Sequence, residues 1–100
     1  MPGKDLEPIH PGEVLLEEYL KPLGLTAYAA AKAMKVPRTR IERLVRGETP
    51  VTPDTALRLH RAFGSSAQFW MNLQARYDLE LAEDRASPEI ATLPSFVAAE

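Results

Sequence analysis

The side chains best suited to chemistry lie near the middle of the chain, where arginines recur at Arg38, Arg40, Arg43 and Arg46. A guanidinium group presents a planar fork of N–H donors that matches two acceptors at once. These acceptors are either the oxygens of a phosphate or the O6 and N7 atoms of guanine in a DNA major groove. The binding of nucleic acid is therefore the first function to consider.

Catalysis and metal binding have little support in the sequence. The only histidines are His10 and His60, and neither has a serine–aspartate pair or a second ligand at metal-binding spacing. Because the chain has no cysteine, disulfides, thiolate metal sites and cysteine nucleophiles are excluded. We expect no enzymatic activity, no metal and no cofactor.

Two short helices joined by a tight turn are predicted to position the arginines. The first begins at Thr26, whose hydroxyl can accept a hydrogen bond from an unpaired amide of the first turn. The small apolar residues of its buried face are Ala30, Ala31 and Met34. The second is predicted to start at Pro37, because proline fits the first position of a helix, and to end at Gly47.

The second helix has separate apolar and polar faces. Its narrow apolar stripe, which must pack against another element, consists of Ile41, Leu44 and Val45. The other face presents Thr39 and the four arginines. Such a face is often only solvated, but it also suits DNA or an acidic partner protein.

Charge is unevenly distributed along the 100-residue chain, whose net charge is −2. Residues 26–61 carry eight basic and three acidic side chains, a balance of +5, whereas the remainder has a balance of −7. The basic middle is compatible with nucleic acid despite the net charge. The acidic ends would weaken non-specific DNA binding and could attract a basic partner.

A further helix is predicted before the pair. Residues 1–8 contain prolines, a glycine and charges with little periodicity, so we expect a flexible arm. A helical pattern then runs from His10 to about Lys21. Pro22 and Gly24 are predicted to end it.

Clear start and stop signals define the next helix, the fourth. Thr52 is a credible N-cap, Pro53 occupies the first helical position, and Gly64 ends the helix. We expect Arg58 and Arg61 to point to solvent.

The fifth helix is predicted to start near Ser66 and to be the longest, with Ser65 and Gln68 forming a capping box. Phe69 and Trp70 are expected mainly in the core. The later turns are assigned to a dimer interface, because aromatic residues are enriched in such contacts. The interface residues are Leu73, Tyr77 and Leu81.

One domain is all that a chain of this length supports, and we assign residues 9–83 to an all-α, five-helix domain. Residues 84–100 are predicted to be a tail, irregular or partly helical. Its apolar residues either pack on the domain or become ordered on a partner: Ile90, Leu93, Phe96 and Val97. Without a signal peptide or a membrane-spanning run, we expect a soluble cytoplasmic protein.

The central pair of helices resembles the helix-turn-helix of lambda-repressor-like proteins, in which the second helix enters the major groove. Ala31 matches the small residue of the packed first helix, and the second helix ends in the pattern I-x-x-L-x-x-G at Ile41, Leu44 and Gly47. Lys35 departs from this family, because many members have glycine in the turn. The resemblance thus implies a turn that tolerates a side chain, or a different helix crossing.

The flanks resemble HigA-type antitoxins of bacterial toxin-antitoxin modules, and with the central motif the similarity covers about residues 9–82. It rests on H-P-G-E before the first helix, T-A-x-R-L in the fourth and F-W-x-N-L-Q-x-x-Y-D-L in the fifth. The resemblance implies a homodimer that binds an inverted-repeat operator and represses its own operon. It also implies neutralisation of a HigB-like toxin that degrades messenger RNA.

The resemblance also implies roles for individual residues. By the helix-turn-helix pattern, the side chains that would reach base edges are Arg38, Thr39 and Arg43. Those placed near phosphates are Thr26, Arg40 and Arg46. No toxin-contact residue carries over.

Two other functions stay open at this stage. One is a transcription repressor without a toxin partner, which a co-purifying small basic protein from a neighbouring gene would exclude. The other is a protein-binding module whose helix-turn-helix does not act on DNA. Four arginines on one short helix argue against the second, because a protein-binding module has no need of that charge density.

Overall fold

The computed structural model describes residues 7–97, and six helices account for its regular structure in that range. The first, α1, joins three segments: Pro11–Val14, the π-helical Leu15–Leu20, and Lys21–Leu23. The others are α2 Ala27–Met34, α3 Arg38–Val45, α4 Pro53–Phe63, α5 Ala67–Asp84 and α6 Pro88–Ala91. The predicted all-α fold with its helix-turn-helix is confirmed.

The predicted arm and the predicted tail form the two ends of the sequence. Residues 1–6 of the predicted arm lie outside the described part of the chain. The predicted tail holds the short sixth helix, α6. The four apolar side chains of the tail are exposed: Ile90, Leu93, Phe96 and Val97.

The start of α1 explains the H-P-G-E segment. The His10 ring caps the helix, because its Nδ1 accepts a hydrogen bond of 2.8 Å from the Gly12 amide. A Cβ atom at Gly12 would lie 1.7 Å from the carbonyl oxygen of Leu44. Only glycine therefore lets α1 approach the end of α3 this closely.

The predicted end of α1 at Pro22 is wrong, because the helix continues to Leu23. A proline normally breaks the hydrogen bond to the fourth residue before it and crowds that carbonyl. Here the preceding turn is already π-helical, with the Lys21 amide bonded to the Leu16 carbonyl. The helix ends at Gly24, as predicted.

The helix-turn-helix begins as predicted, since the Thr26 hydroxyl accepts a hydrogen bond of 3.0 Å from the Ala29 amide. At the turn Lys35 has φ 59° and ψ 45°, so a residue with a side chain occupies the left-handed conformation that favours glycine. Pro37 has an extended ψ of 142° and is the N-cap. The predicted first position for this proline is thus wrong by one residue.

The end of α3 at Gly47 is confirmed. Gly47 has φ 74°, and its amide donates to the Leu44 carbonyl at 2.9 Å. The next amide, of Glu48, donates to the Arg43 carbonyl at 2.9 Å. This pair of bonds closes the helix in the way that glycine permits at its C-terminus.

The start of α4 is confirmed, with Thr52 accepting from the Thr55 amide at 3.3 Å. The predicted capping box at the start of α5 is wrong. Ser66 is the N-cap and accepts from the Phe69 amide at 2.9 Å, whereas the Ser65 hydroxyl is hydrogen-bonded to the Tyr19 hydroxyl.

A single core gathers the apolar faces of α1 to α5 around the fully buried Trp70. The predicted faces of α2 and α3 are buried in it, with Val45 only half-buried. Phe69, predicted mainly in the core, is instead 37% exposed and meets the Trp70 ring edge-on. The buried apolar residues are Leu15, Leu20, Ala30, Ala31, Met34, Ile41, Leu44, Val51, Ala56, Leu59 and Trp70.

Candidate nucleic-acid interface

The outer face of α3 carries the side chains with the chemistry to bind DNA. Ile41 and Leu44 are turned inward and buried, which leaves the polar side chains of the helix in solvent. The exposed residues are Arg38, Thr39, Arg40, Arg43 and Arg46. The two predicted faces of this helix are confirmed.

A groove of 310 Å³ lies between α3 and the loop that leads into α4. It brings together three of the predicted site residues, Thr39, Arg40 and Arg43. The rest of its lining, which the sequence did not indicate, is Pro37, Thr49, Pro50, Thr52 and Thr55. Threonine hydroxyls are common partners of DNA phosphates, so this wall is chemically suited to the backbone of a nucleic acid.

The other arginines of α3 lie outside this groove and are engaged in exposed contacts. Arg38 Nε is 3.3 Å from a Glu42 oxygen, and its guanidinium carbon lies 5.9 Å from the centre of the Tyr28 ring. Arg46 Nε is 3.3 Å from a Glu48 oxygen. Exposed ion pairs contribute little to stability, so both arginines can exchange their carboxylate for a phosphate at low cost.

Arg43 differs from these arginines. Among residues 7–97 it forms no ion pair, and it lines the groove. Its donors are therefore available to a base edge without first breaking a contact.

Arg40 is held by an acidic residue of α4. Its Nη1 donates a hydrogen bond of 2.6 Å to Asp54 Oδ2, and Arg58 Nε donates to the same oxygen at 2.9 Å. Arg58 also donates from Nη1 to the Met34 carbonyl at 2.8 Å. The prediction that Arg58 points to solvent is thus wrong, because its half-buried side chain joins α4 to the end of α2. Hydrogen bonds from Arg58 and then Arg40 hold the pKa of the Asp54 carboxyl below its ordinary value.

Thr26 lies at the start of α2 and does not line the groove. The Thr26 hydroxyl caps this helix. The contact of Thr26 with a phosphate stays a prediction. The predicted dimer residues of α5 are each half-buried within this chain: Leu73, Tyr77 and Leu81.

Gln74 and His10 contact the groove-forming loop from behind, a role that the sequence motifs containing them did not indicate. Gln74 is buried on α5, and its Oε1 accepts a hydrogen bond of 2.7 Å from the Val51 amide. The His10 ring lies edge-on to Tyr77, with ring centres 4.7 Å apart. Burial lowers the pKa of His10, and this effect outweighs a hydrogen bond with the Thr49 backbone and the charge of Asp78.

Between Glu7 and Val97 no group of histidine, aspartate and glutamate could hold a metal ion. His60 is exposed, with its Nδ1 atom 3.2 Å from the Ser65 carbonyl oxygen. None of the helices in this range has the length and apolarity to cross a membrane.

Residues 16–70 match the family described as helix-turn-helix, and the chain belongs to that family. Within it, the similarity to HigA-type antitoxins is confirmed. The chain is 36% identical over 94 residues to antitoxin HigA-1 of Vibrio cholerae, an alignment that covers 93% of this chain and 89% of the relative.

Two further comparisons bear on the site. Virulence-associated protein I of Dichelobacter nodosus is 57% identical over 82 residues, or 81% of this chain and 76% of the relative. The structure of Pseudomonas aeruginosa antitoxin HigA with the higBA promoter superposes with a TM-score of 0.85 at 38% identity. That superposition covers 90% of this chain and 99% of the other.

Proposed function

We propose that the chain binds operator DNA as a homodimer and represses its own operon. The observation that carries this proposal is the arginine-rich face of α3, with Arg43 free of ion pairs among residues 7–97 and lining the groove. The similarity to an antitoxin HigA whose structure includes promoter DNA supports it. The site of action would then be the cytoplasm, where the DNA lies.

The exposed residues of α3, together with Thr26 at the start of α2, have two roles in this proposal. The side chains that reach base edges in the major groove are Arg38, Thr39 and Arg43. Those that meet phosphates are Thr26, Arg40 and Arg46. The groove-lining Arg43 is the strongest candidate for sequence selection, because a bidentate contact to guanine needs a free guanidinium edge.

A homodimer reads two half-sites related by a two-fold axis, so the operator is an inverted repeat with half-sites about 34 Å apart. We assign the dimer contact to Leu73, Tyr77 and Leu81 on α5. The half-burial of these side chains leaves part of each available to a second copy.

The second activity we propose is neutralisation of a HigB-like toxin that degrades messenger RNA. It rests on the similarity to antitoxin HigA-1. The chain itself acts by binding and not as an enzyme. The acidic segments outside residues 26–61 suit a basic partner.

The test is a titration of the purified protein against DNA from immediately upstream of its own gene. A shuffled sequence serves as control, at several salt concentrations. We expect tight, salt-sensitive binding that favours the native sequence. Equal and weak binding to both DNAs would contradict the operator role and favour the protein-binding module. Co-purification with the product of the neighbouring gene then tests the toxin partner, and a regulator that captures no such product acts as a repressor alone.

A further inference from the structure

The carboxylate of Asp54 is shared between arginines from two helices. One oxygen, Oδ2, accepts from Arg40 of α3 at 2.6 Å and from Arg58 of α4 at 2.9 Å. Both bonds join charged partners, and such hydrogen bonds are about twice as strong as neutral ones. The Asp54 oxygen therefore acts as a joint between the arginine-bearing α3 and its neighbour.

The joint is fixed on the side of α4. Arg58 lies one turn after Asp54 on the same face and also donates to the Met34 carbonyl at 2.8 Å, at the last residue of α2. Its side chain is 39% exposed, so its movement is restricted by the surrounding protein. A continuous series of hydrogen bonds thus runs from the end of α2 through Arg58 and Asp54 to Arg40.

This series limits the conformations of Arg40 before any DNA is bound. The bond to Asp54 uses Nη1, and within residues 7–97 the Nε and Nη2 groups of Arg40 have no hydrogen-bond partner. The Nε–Nη2 edge of a guanidinium is suited to a bidentate contact with phosphate. A side chain ordered in advance loses less entropy when the contact forms.

We propose that Asp54 is a positioning residue for DNA binding, which holds Arg40 so that its Nε–Nη2 edge receives a backbone phosphate beside the groove. The proposal rests on the operator-binding function proposed above. It gives an acidic residue at a DNA interface a favourable role, although its charge alone repels phosphates. The two effects have opposite signs, so a measurement can separate them.

The experiment compares Asp54→Ala, Arg40→Gln and the double variant with the wild-type protein, on operator DNA and on a shuffled sequence. Asp54→Ala should weaken operator binding at least about tenfold, because an oriented charged contact is lost in each half-site. Binding to shuffled DNA should weaken as well, because a contact with a backbone phosphate does not depend on the base sequence. In the Arg40→Gln background the operator loss caused by Asp54→Ala should disappear.

Glu48→Ala is the matched control. It removes a carboxylate of the loop that leads into α4, where Glu48 forms a 3.3 Å ion pair with Arg46, two residues before it. Its loss should strengthen binding to both DNAs. Thermal unfolding of every variant shows whether α4 remains folded. A purely structural role for Asp54 would lower the midpoint of thermal unfolding, and the loss of DNA binding would persist in the Arg40→Gln background.

Two results would overturn the proposal while leaving operator binding intact. The first is tighter operator binding by Asp54→Ala in both backgrounds, which would make Asp54 only a repelling charge. The second is an equal loss in both backgrounds, which would make its effect independent of Arg40. Failure of the wild-type protein to prefer its operator would instead refute the proposed function, and the role of Asp54 with it.

Discussion

Replacing Lys35 by glycine should stabilise the protein. Lys35 sits in the turn between α2 and α3 with φ 59° and ψ 45°. In this conformation the Cβ of an L-residue crowds the backbone, at a cost of about 1–2 kcal/mol. Glycine avoids that cost but gives the unfolded chain more freedom, which offsets roughly 0.4–1 kcal/mol. The net gain expected is about 0.5–1 kcal/mol.

Thermal and urea denaturation measure this gain. For a domain of this size, each kcal/mol shifts Tm by about 4–8 °C, so Lys35→Gly should raise Tm by roughly 2–8 °C. Lys35→Ala is the matched control, because it removes the same charge and keeps the Cβ atom. We expect no gain from alanine.

Two results would refute the argument. Equal stabilisation by glycine and alanine would assign the effect to the lost charge and not to backbone conformation. A lower Tm for Lys35→Gly would mean that the lysine side chain contributes more to the turn than its strained φ costs. Operator affinity should fall by the same small factor in both variants, since both lose one positive charge in the basic segment.

Three further predictions test the scaffold and the interface. Gly12→Ala should lower the free energy of unfolding by about 2 kcal/mol or more, because the added Cβ would lie 1.7 Å from the Leu44 carbonyl oxygen; an unchanged urea midpoint would contradict this. Because burial lowers the pKa of His10, the unfolded chain takes up the proton first, and stability should fall as pH drops from about 6.5 toward the lower folded-state pKa. His10→Asn keeps a capping acceptor but cannot be protonated in this range, so it should remove this change of the free energy of unfolding between pH 5 and 7, as measured by urea denaturation. A pH dependence as steep as that of the wild type would mean that another group causes it. Arg43→Ala should weaken operator binding by roughly 1–3 kcal/mol and should relax the preference at one base pair, as measured on operators substituted one base pair at a time. Arg46→Ala should instead weaken binding to all DNA sequences alike and reduce the salt dependence of binding. A loss confined to the operator for Arg46→Ala would exclude its phosphate role.

The start of a helix can be predicted from the sequence where the capping residue and the amide that it caps are only a few residues apart. Thr26 and Thr52 are the N-caps that the sequence predicts, because each hydroxyl caps an amide only three residues further on. Where two neighbouring residues are both able to cap a helix, local sequence does not indicate which of them is the N-cap. Ser65 and Ser66 are both competent caps, and the choice is made by Tyr19, a residue 46 positions from Ser65 that takes up its hydroxyl.

The positions of the arginines required information that only the fold contains. The ion pair of Asp54 and Arg58 joins residues one turn apart on α4, although the sequence led us to expect Arg58 in solvent. The contact of Asp54 with Arg40 joins residues 14 apart on different helices and depends on how α3 crosses α4. The need for glycine at Gly12 likewise arises from Leu44, far along the chain.

The motifs that flank the helix-turn-helix converge on its two helices. His10 and Gly12 of the H-P-G-E segment meet the end of α3. Arg58 of T-A-x-R-L binds the end of α2, and Gln74 of the α5 motif binds the Val51 amide behind the groove.

These residues therefore support the arginine-bearing surface, and their burial or hydrogen bonds already explain why these residue types are present. They give no information about a toxin surface. A search for toxin contacts should start with exposed apolar residues that have no role in the scaffold. Leu79 on the outer face of α5 and Phe96 in the tail, which are 60% and 98% exposed, are the first to substitute.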